Sequence, residues 1–133
     1  MDQMDSARQG APCCNLDFLE ISLGRNRTTA LRLVGLFLDS YPHLVRRLDE
    51  AQASGDLERL RQVVHDIRGN CVLFSAQECL AQTIRIEGLL RVAIGATGQE
   101  ANGSDWLAET LILRQALECM VAELRAYLAT GTP

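Results

Sequence analysis

Apolar residues in this chain recur at intervals of three and four far more often than they alternate, the period of amphipathic helices. Between Thr28 and Ala53 the positions Leu31, Val34, Leu38, Tyr41, Val45 and Leu48 form one stripe. Pro42 falls inside it and lacks the amide a helix interior needs, so a bend or a break into two helices is predicted there. Gly55 followed by Asp56 has the order of a helix C-terminus and the next N-cap. A second stripe follows at once through Leu57, Leu60, Val64, Ile67, Cys71 and Phe74. Ser75-Ala76-Gln77-Glu78 has the form of a capping box, with Phe74 and Cys79 placed as a hydrophobic staple. A third helix is therefore predicted from Ala76 to near Ile94, with Leu80, Ile84, Ile86, Leu89 and Leu90 along it. Residues 95–104 show no period and hold Gly95, Gly98 and Gly103, which predicts a loop longer than a bundle normally needs. Ser104 is then expected to cap a last helix carrying Trp106, Leu113, Leu117, Met120, Val121, Leu124 and Leu128. Ahead of all these, Phe18–Leu23 suits a short helix packed across one end. Four long amphipathic segments with mostly short connections predict an all-α fold, an antiparallel up-down four-helix bundle with a short additional N-terminal helix. The bundle is expected over residues 15–129, between a flexible N-terminal tail (1–14) and a C-terminal tail (130–133).

Composition narrows the class. With 133 residues, 47% hydrophobic and 23% charged, the chain has the size of one domain, too apolar for disorder and too polar for a membrane bundle. No apolar run approaches the roughly 18 residues of a spanning helix, and Met1–Pro12 lacks the apolar core of a secretory signal, so a cytoplasmic location without membrane insertion is expected. A net charge of −4 without a clustered basic stripe argues against nucleic-acid binding. The cysteines, Cys13, Cys14, Cys71, Cys79 and Cys119, are odd in number and lack paired metal-ligand spacing, which points to a reducing environment. Cys71, Cys79 and Cys119 are expected in the core, and Cys13 and Cys14 as exposed thiols, with a redox or metal site as the alternative for that pair. No metal site and no intrinsic cofactor are expected, since the two histidines fall on different helices and no glycine-rich phosphate loop is present.

A bundle without a pocket motif must carry its chemistry on a helix surface. At about 100° per residue, His65 points roughly 130° from the centre of the Leu57–Phe74 stripe, and Gly69 about 170° from it. His43, among Asp39, Arg46, Arg47 and Glu50, also falls on a solvent side. What sets His65 apart is Arg68 and Gly69 one turn on, on the same face. Glycine inside a helix costs about 1 kcal/mol relative to alanine. Close helix packing accounts for Gly35 and Gly88, but Gly69 faces outward. Bare backbone beside an imidazole and a guanidinium admits a phosphate or a partner's active site. Spacing alone leaves a solvated and a reactive histidine on equal terms.

The run Val64-His65-Asp66-Ile67-Arg68-Gly69-Asn70, followed by Phe74-Ser75-Ala76, resembles the histidine-containing phosphotransfer (HPt) domains of bacterial multistep phosphorelays. The likeness extends to Phe18-Leu19-Glu20, Leu36-Phe37-Leu38 with Tyr41-Pro42, Gly55-Asp56 and Leu124-Arg125-Ala126-Tyr127-Leu128. It covers roughly Leu16 to Leu128. Arg68 stands where the family usually has lysine, Val72 where a small residue is common, and the 95–104 loop is longer than typical. The resemblance implies that His65 takes a phosphoryl group from the aspartate of one response-regulator receiver domain and passes it to another. It further implies that Arg68 neutralises phosphate oxygens, that Gly69 gives the receiver access, and that Arg61, Gln62 and Val72 belong to the docking surface. Gln62 and Asn70 are candidate hydrogen-bond donors. Mg²⁺ is expected on the receiver, a hybrid sensor histidine kinase is a further candidate partner, and the chain is expected to be a monomer, free-standing or the cytoplasmic part of a membrane-bound hybrid kinase. Two alternatives are a dimerisation and phosphoacceptor domain of a sensor histidine kinase, from the likeness of His65-Asp66-Ile67-Arg68 to its motif, and a receiver-binding bundle that does not transfer. The first usually has proline where this chain has Gly69-Asn70, and builds its bundle from two chains.

Overall fold

Asparagine and aspartate side chains open four of the five helices in the computed structural model, which describes residues 13–95 and 105–131. The elements are α1 (Leu16–Ser22), α2 (Arg27–Ser54), α3 (Leu57–Leu73), α4 (Gln77–Gly95) and α5 (Trp106–Thr130), and the described residues contain no strand. Asn15, Asn26, Asp56 and Asp105 each accept a hydrogen bond from the amide three residues on, satisfying one of the donors a helix start leaves unpaired. Asp105, not Ser104, is thus the cap of α5. The expected tail before Cys13, loop residues 96–104 and the last two residues lie outside the described residues. No helix among the described residues is long and apolar enough to cross a membrane.

The Gly55-Asp56 junction forms as read: Gly55 takes the left-handed conformation (φ 71°) and Asp56 accepts from the Arg59 amide at 3.1 Å. Asp56→Ala is expected to lower stability by about 1 kcal/mol, read as a shifted urea midpoint with unchanged slope. The next junction departs from its expected form. Ser75 also has positive φ (54°), and the Ala76 amide donates to the Cys71 carbonyl at 2.8 Å while the Ser75 amide reaches Val72 at 3.2 Å. This is a Schellman turn closing α3, in place of a capping box opening α4. The Ala76 carbonyl accepts the first bond of α4, from Leu80.

Packing runs in a ring, α2 on α3, α3 on α4, α4 on α5 and α5 on α2, with α1 against α2. α2 is one helix through Pro42, not two; burial of Phe37 and Leu44 on either side outweighs the missing amide. Its fully buried line is Ala30, Val34, Phe37, Leu44, Leu48 and Ala51, so Leu31, Leu38, Tyr41 and Val45 are only half-buried. α3 buries Leu60, Val63, Val64, Ile67 and Cys71, ending on Phe74, whose ring meets Phe37 edge-on at 5.6 Å. In α4 the buried line is Cys79, Gln82, Thr83, Ile86, Leu90 and Ala93, leaving Ile84 and Ile94 exposed. At one end Glu20 of α1 pairs with Arg27 of α2 at 2.7 Å and accepts from the Tyr127 hydroxyl of α5, while Arg27 lies 4.9 Å over the Tyr127 ring. Burial and the Glu20 carboxylate push the Tyr127 phenol up to about 12.

The cysteines do not distribute as expected. Cys14 is buried, Cys119 is exposed, and Cys119 forms a disulfide with Cys13 across 6.2 Å between Cα atoms. Cys71 and Cys79 are buried, as expected. The short segment before α1 is anchored as well by Glu123 of α5, whose carboxylate accepts from the amides of Cys13 and Cys14.

Candidate functional site

The burial of one face of α3 dictates what the other presents. Arg61, Gln62, His65, Arg68, Gly69 and Val72 are all exposed, with Arg61 and Gln62, then His65, then Arg68 and Gly69, then Val72 on four successive turns. The His65 side chain is 66% exposed. His43 on α2 is exposed too, so exposure does not distinguish the two histidines. Their partners do.

Glu87 of α4 reaches across to both His65 and Arg68. One carboxylate oxygen lies 3.2 Å from His65 Nδ1, and the other accepts from Arg68 Nη1 at 2.8 Å. The Glu87 side chain is only 14% exposed, so the carboxylate is held at the base of the exposed face. A carboxylate can only accept, so the ring's Nδ1 carries the proton and, in the neutral imidazole, the lone pair falls on Nε2. The ring therefore has one nitrogen engaged with the scaffold and one available as a nucleophile. Arg47 of α2 pairs with Asp66 at 2.8 Å and fastens the opposite flank of the same turn.

Sequence reasoning missed Glu87. Its signal was positional: His65 lies ten residues before Ser75 and Glu87 twelve after it, so a tight turn at Ser75 folds them onto the same level. Arg91, one turn beyond Glu87, was missed as well. It lines a groove of about 370 Å³ with Arg61, Arg68, Glu87, Ile94 and Gly95. With Arg61 paired to Glu58 and Arg68 to Glu87, the Arg91 guanidinium leaves this groove with a positive balance suited to an anion.

The remaining candidates are placed as follows. A Cβ built on Gly69 would meet no atom within 4 Å beyond its own helix, so the space beside His65 is open. The same holds for Gly35 and Gly88, which corrects the reading of these two as close-packing positions. Arg61 makes a two-nitrogen contact with Glu58, which holds that carboxylate below its usual range and raises the guanidinium. The Asn70 amide donates to the Asp66 carbonyl at 3.1 Å and so is engaged within α3. Gln62 borders a small concavity with Arg47, Glu50 and Arg59. Val72 extends the exposed face with an apolar side chain, 59% exposed.

The Hpt domain family model matches residues 32–127, a span that includes this whole face, its Glu87 partner and four of the five helices in whole or large part. The chain belongs to the Hpt domain family. No significant match was found among curated proteins or solved structures. Membership implies histidine phosphotransfer in phosphorelays and interaction with response-regulator receiver domains. In this Hpt domain only two histidines exist, and among the described residues only one of them, His65, is hydrogen-bonded to a carboxylate on a neighbouring helix beside an open glycine.

Proposed function

We propose that this chain is a phosphorelay intermediate in which His65 carries the phosphoryl group between the aspartates of two receiver domains. The observation that carries the reading is the His65–Glu87 contact, which leaves Nε2 as the free nucleophile on an exposed face. In the first step Nε2 attacks the phosphorus of an aspartyl phosphate, an N–P bond forms, and the acyl-phosphate O–P bond breaks to release the aspartate carboxylate. In the second step another receiver's aspartate attacks the same phosphorus and the imidazole leaves. Mg²⁺ belongs to the receiver in both steps, and this chain supplies position and charge.

Arg68 keeps guanidinium N–H groups beyond the one given to Glu87 and would meet the phosphate oxygens. Gly69 would admit the receiver's loops, and Arg61, Gln62 and Val72 would form the rim of the contact. Domain limits at residues 15–129 and an antiparallel up-down arrangement of α2 to α5 with α1 across one end belong to this reading, as do a cytoplasmic location, a monomeric state and partnership with a hybrid sensor histidine kinase. One chain supplies four long helices here, whereas the sensor-kinase dimerisation domain draws two from each of two chains. Native mass spectrometry separates these: a monomer is expected, and an obligate dimer would favour the dimerisation domain.

The test is transfer from a phosphorylated receiver domain, with an acid-labile, alkali-stable label expected on the wild-type chain. No label from any receiver of the organism's set would leave only receiver binding without transfer. Glu87→Ala removes the ring's anchor and is expected to slow transfer about tenfold, by letting the nucleophile rotate away from its attack geometry. An unchanged rate in that variant, measured with the same receiver, would remove Glu87 from the mechanism.

A further inference from the structure

The five thiols fall into two chemically distinct sets. Cys14, Cys71 and Cys79 are buried. Burial and the nearby Glu123 carboxylate push the Cys14 thiol up to about 12, and its Sγ contacts the Met120 carbonyl. The Cys79 thiol is also raised, by its contact with Cys71 and by burial. These three are inert small core groups. Cys13 and Cys119 are the two with access to solvent, and they are the two that pair.

The surroundings of this pair differ on its two sides. A cavity of about 820 Å³ opens beside Cys13 and is lined by the carboxylates of Asp17, Glu78 and Glu123. Cys119 borders a separate groove of about 470 Å³ between α4 and α5, with Glu78, Gln82, Gln115 and an Arg85 guanidinium that pairs with Glu109 at 3.0 Å. An anionic thiolate faces three carboxylates on the first side and one on the second, where Cys119 is also the more exposed of the two cysteines. A Glu123 oxygen also lies within 4.8 Å of both sulfurs, which adds negative charge beside the pair.

We propose that Cys13–Cys119 is a reversible thiol–disulfide site addressed by small anionic thiols of the glutathione class, with Cys119 as the sulfur that exchanges. On reduction, a small thiolate attacks Cys119 Sγ, a mixed disulfide forms there, and the Cys13 thiolate leaves. A second small thiolate attacks the outer sulfur of that adduct, releases the Cys119 thiolate and departs as the small-molecule disulfide. Two small thiols lose two electrons, the protein disulfide gains them, and the two protons shed by the small thiols end on Cys13 and Cys119. Oxidation by the small-molecule disulfide runs the same steps backwards. The closed form ties the segment before α1 to α5 across a sequence separation of 106. This site shares no residue with the His65 face.

The test uses the full chain in glutathione buffers stepped from reduced to oxidised, with thiol counting after denaturing quench and peptide mapping. Five free thiols are expected at the reduced end and three at the oxidised end, with one linked peptide pair containing Cys13 and Cys119. Closing so long a loop should raise the melting temperature of the oxidised form by about 10 °C. In Cys13→Ser, oxidised glutathione should leave one adduct, on Cys119; in Cys119→Ser the adduct on Cys13 should form more slowly. Retention of native helicity by circular dichroism validates both variants, and the wild-type map stands without them. The proposal is overturned by a linkage that resists reduced glutathione until the chain is unfolded, by five free thiols at the oxidised end, or by adducts spread over Cys14, Cys71 and Cys79. Stoichiometric zinc held by Cys13, Cys119 and Glu123 in the reduced chain, keeping the pair from closing, would overturn it as well.

Discussion

His65→Gln is expected to abolish the acid-labile phosphoryl label while leaving helicity and melting temperature at wild-type values. Glutamine is of similar size and its amide can still donate to Glu87, so the neighbouring helix keeps its contact. It has no nitrogen lone pair able to form a phosphoramidate. Because the side chain is 66% exposed, little packing is lost. His43→Gln, on the exposed face of α2, should label like wild type. The measurement is label retained after acid and alkali treatment, following incubation with a phosphorylated receiver. Label persisting in the His65 variant, or lost in the His43 variant, moves the nucleophile elsewhere.

Gly69→Leu should separate transfer from stability, with opposite signs. The position is in a helix interior with nothing within 4 Å of a built Cβ, so a side chain fits the isolated domain. Exchanging glycine for a good helix former there should raise stability by roughly 0.5–1 kcal/mol. The same isobutyl group stands one turn from His65, on the face proposed to receive the receiver domain. A displacement of about 1 Å at the reacting atoms can cost roughly 100-fold in rate, and a loss of that order in transfer is expected. Urea unfolding and single-turnover transfer on the same preparation read both effects. A parallel fall in stability and transfer would mean that Gly69 serves packing instead.

Much of this architecture was legible from periodicity, and the failures have physical causes. Gly55-Asp56 was readable because a left-handed terminus followed by an aspartate cap has few other uses. Ser75-Ala76-Gln77-Glu78 misled because one serine can open a helix with its hydroxyl or close the preceding one with its backbone, and only the Ala76–Cys71 hydrogen bond decides. α4 carries apolar residues on more than one face, so Ile84 falls on the apolar stripe of the sequence whereas the buried line runs through Cys79, Thr83, Ile86 and Leu90. Cys119 sits next to Met120 and Val121, where a rotation of one residue exchanges inside for outside. Its pairing with Cys13 depends on a contact more than a hundred residues away in sequence, which local pattern does not encode.

At the site, the contributions of α3 were visible because they share one helix face. Glu87 and Arg91 were not, because they join that face only through the packing of α4 on α3. A glutamate among the polar residues of an amphipathic helix looks like any solvated charge until the neighbouring helix is in place. The two-partner hold of Glu87 on His65 and Arg68 is therefore the part of the site that needed coordinates.

The three residues Phe74, Ser75 and Ala76 separate the two helices that meet at His65. One extra residue inserted among them would have to break the tight turn closed by the Ala76–Cys71 hydrogen bond, shifting α4 against α3 and drawing Glu87 away from His65 while every residue named in the site stayed unchanged. The aim of the His65 ring thus depends on the length of this turn as well as on the side chains around it.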